Sequence, residues 1–149
     1  MLGEQLLIGS AMVGFTVIIH VGGILATVAW LRRHRSIGHS GRDSYIWAIR
    51  MFAAAVLGVF VLHTLEIWAW AVLYMSLGQF ESLERALYFS TVTFTTLGYG
   101  DITLTPRWQV LSGLEAANGI ILFGVSTAFV FAVLKYLFEA AGIVARHGD

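Results

Sequence analysis

Three long apolar runs separated by short polar segments dominate the chain. They cover residues 6–31, 51–74 and 108–138. Each run is long enough to cross a membrane, because a spanning helix needs about 20 apolar residues. A secretory signal peptide is the competing interpretation of the first run. Its basic residues, however, follow the apolar stretch, and the stretch exceeds the roughly 7–15 residues of a signal core. The pattern therefore predicts three transmembrane helices.

A fourth, shorter helix is predicted over residues 83–95. Ser82 is of a residue type that caps helix N-termini, and Glu84 lies in the first turn, where a carboxylate suits the positive helix end. Such a helix measures about 20 Å, whereas the hydrocarbon core is about 30 Å thick. We therefore expect it to be re-entrant.

Composition supports a membrane protein and excludes several classes of function. The 149 residues are 58% hydrophobic and 12% charged, against about 25% charged in soluble domains. Cysteine is absent, so disulfides and thiolate metal sites are excluded. Because the chain contains no nucleophile–base pair, phosphate loop or cofactor motif, we expect neither an enzyme nor a cofactor. No nucleic-acid partner is expected either.

The distribution of charge predicts the orientation of the helices. Basic residues cluster in the loop over residues 32–42 and recur at Lys135 and Arg146, whereas Glu4 is near the start. Basic residues in short loops stay on the cytoplasmic side. The sequence thus predicts a multi-pass protein of the cell (plasma or inner) membrane with its N-terminus outside and its C-terminus cytoplasmic.

Residues 96–101 read Thr-Leu-Gly-Tyr-Gly-Asp and follow the short helix directly. Irregular backbone at membrane depth is tolerated only when it is buried in protein or lines a water-filled path. Gly98 and Gly100 can adopt positive φ at little cost, which lets successive carbonyls point to one side. Four such segments around an axis would form rings of oxygens that replace the hydration shell of K⁺. The expected ligands are the carbonyls of Thr96, Leu97, Gly98 and Tyr99, with the Thr96 hydroxyl.

The segment Ala-Leu-Tyr-Phe-Ser-Thr-Val-Thr-Phe-Thr at residues 86–95, together with residues 96–101, closely resembles the pore helix and signature of potassium channels. The resemblance covers about residues 51–137. It implies an all-α membrane protein: three transmembrane helices plus a re-entrant pore helix and selectivity-filter loop, assembled as a homotetramer. The implied pore domain is 43–149, with outer helix ~45–77, pore helix ~83–95, filter 96–101 and inner helix ~107–138. Residues 1–42 add a further transmembrane helix and the basic loop.

The chain departs from the family pattern at two positions. Leu97 replaces the commoner valine or isoleucine, but it contributes mainly its carbonyl. Many bacterial members place a glutamate at the position of Val92, where it bonds the aspartate after the filter. In the family an aromatic at the position of Tyr88 can bond that aspartate, so we predict a hydrogen bond from Tyr88 to Asp101. Asp101, which with Gly100 ends the filter, could instead be a solvated residue of the mouth.

Charged and polar groups inside the hydrocarbon need partners, because burying them there costs about 2.5–3.5 kcal/mol on insertion scales. Counted at about 1.5 Å per residue from the outer helix ends, Glu66 and Glu115 lie at similar depths of about 10–14 Å. We therefore predict that Glu115, with Glu66 and Asn118, forms a polar layer behind the filter.

His63 and Glu66 are three residues apart and share one helix face. Three interpretations are open: a hydrogen bond between two buried groups, part of a metal site, or a pH sensor. His20 stands alone on an apolar helix, where packing or bonding to a neighbouring helix is expected, and no ligand role is assigned to it.

Gly119 and Gly124 interrupt the third apolar run. Glycine weakens a helix interior by about 1 kcal/mol relative to alanine, which suits a gating hinge. Small residues equally allow close helix packing in membranes, so both interpretations stay open. The residues predicted to face the cavity are Ser126, Thr127 and Ala128.

The sequence favours a potassium-selective channel subunit whose partners are identical subunits, the lipid bilayer and K⁺ ions bound in the filter. A weakly selective cation channel is the first alternative. The second is a non-conducting accessory or metal-binding membrane protein built around His63, Glu66 and Glu115. The first helix can pack against the outer helix or contact a neighbouring subunit.

Overall fold

The computed structural model describes residues 2–34 and 42–141. In these ranges the chain forms four helices and no strand. The helices are α1 Leu2–Arg33, α2 Arg42–Ser76, α3 Leu83–Phe94 and α4 Gln109–Ala140. Most of the predicted basic loop, together with Arg146, lies outside the described residues.

Three of the helices are long and apolar enough to cross a membrane: α1, residues 43–76 of α2, and α4. At 12 residues, α3 is about 18 Å long and too short to do so. The predicted fold class, an all-α membrane protein with three long spans and one short helix, is confirmed.

Local signals explain where the short helix begins. Ser82 has extended backbone, with φ −129° and ψ 144°, and its hydroxyl accepts the N–H of Arg85 at 3.4 Å. Glu84 lies in the first turn, where its charge complements the helix dipole. The N-cap predicted from the sequence is therefore present.

A left-handed glycine ends α2. Gly78 has φ 67°, and its N–H donates to the carbonyl of Met75 at 2.9 Å. The N–H of Gln79 donates to the carbonyl of Tyr74 at 3.0 Å, which completes a Schellman motif. Gln79 then accepts the backbone N–H and the hydroxyl of Thr105 through Oε1, so the turn after α2 holds the loop that leads into α4.

Helix α1 packs against α2 and α4 of its own chain, and α3 packs against the same two helices. The side chain of Gln5 accepts the N–H of Val110 at 3.0 Å and so caps the start of α4. Small residues allow close approach: a Cβ on Gly9 would collide with Leu114 and one on Gly23 with Leu62. Within the chain, α1 therefore contacts both α2 and α4.

Two apolar clusters fill the bundle. The first lies at the end that carries residues 96–101, here called the signature end, and consists of Trp70, Tyr74, Phe89, Phe94, Leu104, Trp108, Leu111 and Leu122. The second lies toward the opposite end and consists of Leu31, Ala48, Ala55, Val133 and Leu137. Buried polar side chains lie between them on α1, α2 and α4: Thr16, His20, His63, Glu66, Asn118 and Ser126.

Candidate functional site

The backbone of residues 96–101 has a positive φ at every second residue from Thr96 to Gly100. Thr96, Gly98 and Gly100 have φ of 59°, 49° and 74°, whereas Leu97 and Tyr99 between them do not have positive φ. In an ordinary extended strand, successive residues present their groups to opposite sides. A positive φ at every second residue cancels that reversal, so consecutive carbonyls can form one row.

The positive φ of Thr96 was not predicted, since only glycines adopt this conformation without penalty. A left-handed non-glycine residue costs roughly 1–2 kcal/mol. The structure shows what holds it there: the N–H of Thr96 donates to the carbonyl of Thr93 at 2.9 Å. The N–H of Gly98 donates to the carbonyl of Val92, also at 2.9 Å. The last turn of α3 thus fixes the segment through its backbone.

The hydrogen bond predicted between Tyr88 and Asp101 is present. The Tyr88 hydroxyl donates to Asp101 Oδ2 at 2.7 Å and joins α3 to the end of the segment. This bond is the main cause that raises the pKa of Tyr88, so its hydroxyl stays protonated and able to donate at neutral pH. Asp101 is solvent exposed, but its carboxylate has a protein partner in Tyr88. It is therefore not simply a solvated residue of the mouth.

Glu115 is fully buried behind α3 and binds two other helices. Its Oε2 accepts the Tyr74 hydroxyl of α2 at 2.7 Å, and its Oε1 lies 2.5 Å from the Ser90 hydroxyl of α3. Ser90 Oγ also lies 2.9 Å from the carbonyl of Ile67. Since a hydroxyl has one proton, a protonated Glu115 that donates to Ser90 would satisfy both contacts of Ser90. The sequence pointed to Glu115 but missed Tyr74 and Ser90.

The predicted polar layer is wrong in its other members. Glu66 bonds to His20 and His63, and the amide of Asn118 donates to Thr16 at 2.7 Å. Counting along the helices placed both glutamates at one depth because it ignored the direction of side chains. Side chains lean toward the N-terminus of their helix. On α2 this moves the Glu66 carboxylate away from the signature end, whereas on α4 it moves that of Glu115 toward it.

The pair of His63 and Glu66 is hydrogen bonded, with His63 Nδ1 2.9 Å from Glu66 Oε2. His20 is bonded to the neighbouring helix α2, as one of the two sequence interpretations expected. Ser126 is buried against both histidines, so its prediction as a cavity-facing residue is wrong. Thr127 and Ala128, by contrast, are exposed on α4.

The two glycines of α4 differ in their surroundings. A Cβ on Gly119 would collide with the backbone carbonyl of Phe94 at the end of α3. A Cβ on Gly124 would meet no atom within 4 Å. Gly119 therefore permits close packing of α4 against α3, immediately before residues 96–101, whereas no packing contact explains Gly124.

The chain matches a known protein family. A family model described as ion channel matches residues 60–136. The matched segment begins in the middle of α2, includes α3 and residues 96–101, ends near the end of α4, and covers just over half of the chain. No curated protein and no solved structure is significantly similar to the chain.

Proposed function

The chain belongs to the ion channel family of the two-transmembrane, potassium-channel type, and on that premise we propose that it is one subunit of a homotetrameric, potassium-selective channel. The channel conducts K⁺ passively across the cell membrane. Residues 96–101 are its selectivity filter, α3 its pore helix, α2 its outer helix and α4 its inner helix.

The observation that carries the proposal is the alternating backbone at Thr96, Gly98 and Gly100. A single row of carbonyls provides oxygen ligands on only one side of an ion. Four rows around an axis enclose it and replace its hydration shell. The side chains of Leu97 and Tyr99 are 55% and 65% exposed within one chain, which leaves them free to contact neighbouring subunits. The proposed K⁺ ligands are the carbonyls of Thr96, Leu97, Gly98 and Tyr99.

The position of α3 supports cation conduction. Its last residue, Phe94, lies two residues before Thr96, so the helix C-terminus faces the start of the row. A helix C-terminus carries a partial negative charge equivalent to about half an elementary charge. Four such ends around an axis would lower the cost of a dehydrated cation there.

Basic residues support a cytoplasmic position for the end of the bundle opposite the signature end. Arg32 and Arg33 end α1, and Lys135 lies near the end of α4. Leu31 packs in the same cluster as Val133 and Leu137, so these cations share one end. The positive-inside rule supports a cytoplasmic position for that end and an external position for the signature end.

The proposal is tested by rubidium and sodium flux into liposomes that contain the purified protein. We expect rubidium flux well above sodium flux, with block by barium. Equal fluxes would instead identify a weakly selective cation channel, and absence of flux would identify an accessory or metal-binding membrane protein. Native mass spectrometry of the same sample should show four chains, and a dimer or monomer would contradict the tetramer.

Two glycines make a matched pair of variants for the flux assay. Gly98 and Gly78 have φ of 49° and 67°, and neither has an atom within 4 Å of an added Cβ. Alanine at either position therefore meets the same strain of roughly 1–2 kcal/mol, without a clash. We expect Gly98→Ala to abolish selective flux and Gly78→Ala to retain it. Equal loss of selective flux in both variants would contradict a special role of Gly98, because backbone strain outside the filter would then have the same effect as strain inside it.

A further inference from the structure

A closed ring of hydrogen bonds joins α1, α2 and α4 in the centre of the bundle. Nδ1 of His20 and Nδ1 of His63 lie 2.8 and 2.9 Å from the two oxygens of Glu66. Nε2 of the same two imidazoles lies 3.2 and 2.9 Å from Ser126 Oγ. Each imidazole therefore bridges Glu66 to Ser126, and all four side chains are buried.

The number of hydrogens in the ring decides its protonation state. Its four contacts need four hydrogens. The Ser126 hydroxyl supplies one, so three must come from the imidazoles and Glu66. Two neutral imidazoles beside an ionised Glu66 hold only two hydrogens, which leaves one contact without a hydrogen. The ring is complete only when it binds one additional proton.

Charge favours the same state. With the additional proton, either one imidazole is cationic beside an ionised Glu66, or both imidazoles are neutral beside a protonated Glu66. The net charge is zero in both cases. Without that proton the ring carries a net negative charge in the middle of a membrane-spanning bundle, where an uncompensated charge is costly.

Two aromatic side chains pack beside the ring of hydrogen bonds. The phenyl centroid of Phe94, on α3, lies 6.0 Å from the imidazole centroid of His63. The phenyl centroid of Phe123, on α4, lies 4.4 Å from the same imidazole centroid. Among residues 2–34 and 42–141, no titratable group outside the ring hydrogen-bonds to it, and Glu115 is bonded to Tyr74 and Ser90. The additional proton thus belongs to these four side chains alone.

We propose that His20, His63, Glu66 and Ser126 form a proton-binding site that clamps α1 onto α2 and α4. Proton uptake completes the ring and neutralises it. Proton release removes one hydrogen bond and leaves a buried negative charge, so the attachment of α1 weakens as the pH rises. The site does not depend on which ion the channel conducts.

A metal site is the competing use of the same residues. One ligand atom from each of His20, His63 and Glu66 lies within 4.8 Å of the others, and two histidines with one glutamate are a ligand set that zinc accepts. Zinc would, however, have to displace the hydrogens between both Nδ1 atoms and Glu66. Zinc binding would then require the ionised carboxylate of Glu66, whereas the proton-binding site needs no charge at residue 66.

Glu66→Gln separates these two possibilities. The Gln amide can donate to Nδ1 of one histidine, whose Nε2–H donates to Ser126. The Ser126 hydroxyl then donates to Nε2 of the other histidine, whose Nδ1–H donates to the Gln carbonyl. All four hydrogen bonds form with neutral groups and no titratable proton. The variant therefore imitates the protonated ring permanently.

The test is thermal unfolding of the full chain in lipid nanodiscs between about pH 7.5 and about pH 10, a range in which the histidines of the unfolded chain are already neutral and do not add a pH dependence of their own. We expect the wild-type midpoint to fall by roughly 2–4 °C as the pH rises, as for the loss of one buried hydrogen bond. The Glu66→Gln midpoint should stay high across the range. The midpoint of Ser126→Ala should be lowered already at the lowest pH of this range, because the substitution opens the ring.

Ser112→Ala is the matched control. It removes the same atom from α4, but the Ser112 hydroxyl donates only to the Gln109 carbonyl of its own helix, so this variant should follow the wild type. The proposal is overturned if Glu66→Gln falls with pH as steeply as the wild type or fails to fold. One zinc ion per wild-type chain that is lost from Glu66→Gln would overturn it in favour of a metal site.

Discussion

Alanine at the two glycines of α4 distinguishes close packing from a hinge. In a helix interior with open space, Gly→Ala stabilises by about 1 kcal/mol. Gly124 offers that space, since an added Cβ meets nothing within 4 Å. We therefore expect Gly124→Ala to raise the free energy of unfolding by about 1 kcal/mol, or the melting temperature by roughly 2–4 °C.

Gly119→Ala should behave differently because its Cβ would meet the Phe94 carbonyl. That atom belongs to the backbone and cannot rotate away as a flexible side chain would. Overpacking of this kind costs about 1–3 kcal/mol, which the gain of about 1 kcal/mol in helix propensity only partly offsets. The two variants should thus differ in stability by about 1–3 kcal/mol.

Unfolding measured by circular dichroism against temperature gives the first readout, and rubidium flux gives the second. Phe94 lies two residues before Thr96, so displacement of α3 by the Gly119→Ala side chain should also reduce selective flux. Gly124→Ala should keep a folded filter. Equal stabilisation of both variants, with equal flux, would refute the packing argument for Gly119.

Three further predictions follow from single contacts. Tyr88→Phe removes the 2.7 Å bond to Asp101, so rubidium flux should decline faster with time than in the wild type, and an unchanged time course would contradict a supporting role. Glu115→Gln should remain stable because its amide can donate to Ser90. Glu115→Leu leaves the buried Tyr74 hydroxyl unpaired at about 1–3 kcal/mol, measured by thermal unfolding, whereas Ser90 can still donate to the Ile67 carbonyl. Gln5→Ala should cost about 0.5–2 kcal/mol of unfolding free energy through the lost cap of α4.

The fold was largely predictable because its signals are local. Length and hydropathy identify three spanning helices, and Ser82 marks the start of α3, where the structure has its N-cap. The glycines at positions 98 and 100 likewise have the positive φ that their residue type allows. The contact of Tyr88 with Asp101 could be predicted from the family pattern, in which an aromatic residue at that position of the short helix bonds the aspartate after the filter.

The partners of the buried polar groups could not be predicted, because they depend on how separate helices rotate against one another. A count of residues gives the depth of a Cα atom, whereas the lean of side chains on antiparallel helices separates Glu66 from Glu115. The left-handed Thr96 also depends on α3, whose last turn holds it by hydrogen bonds.

The sequence by itself determined the spanning helices, the short helix and the signature of residues 96–101, since each depends on residues that are consecutive in the chain. Only the tertiary structure decided that His20, a lone histidine on the first helix, meets Glu66 and Ser126. These residues are 46 and 106 positions away from it along the chain. Such a meeting arises when three helices pack together and their buried polar groups must satisfy one another in the absence of water.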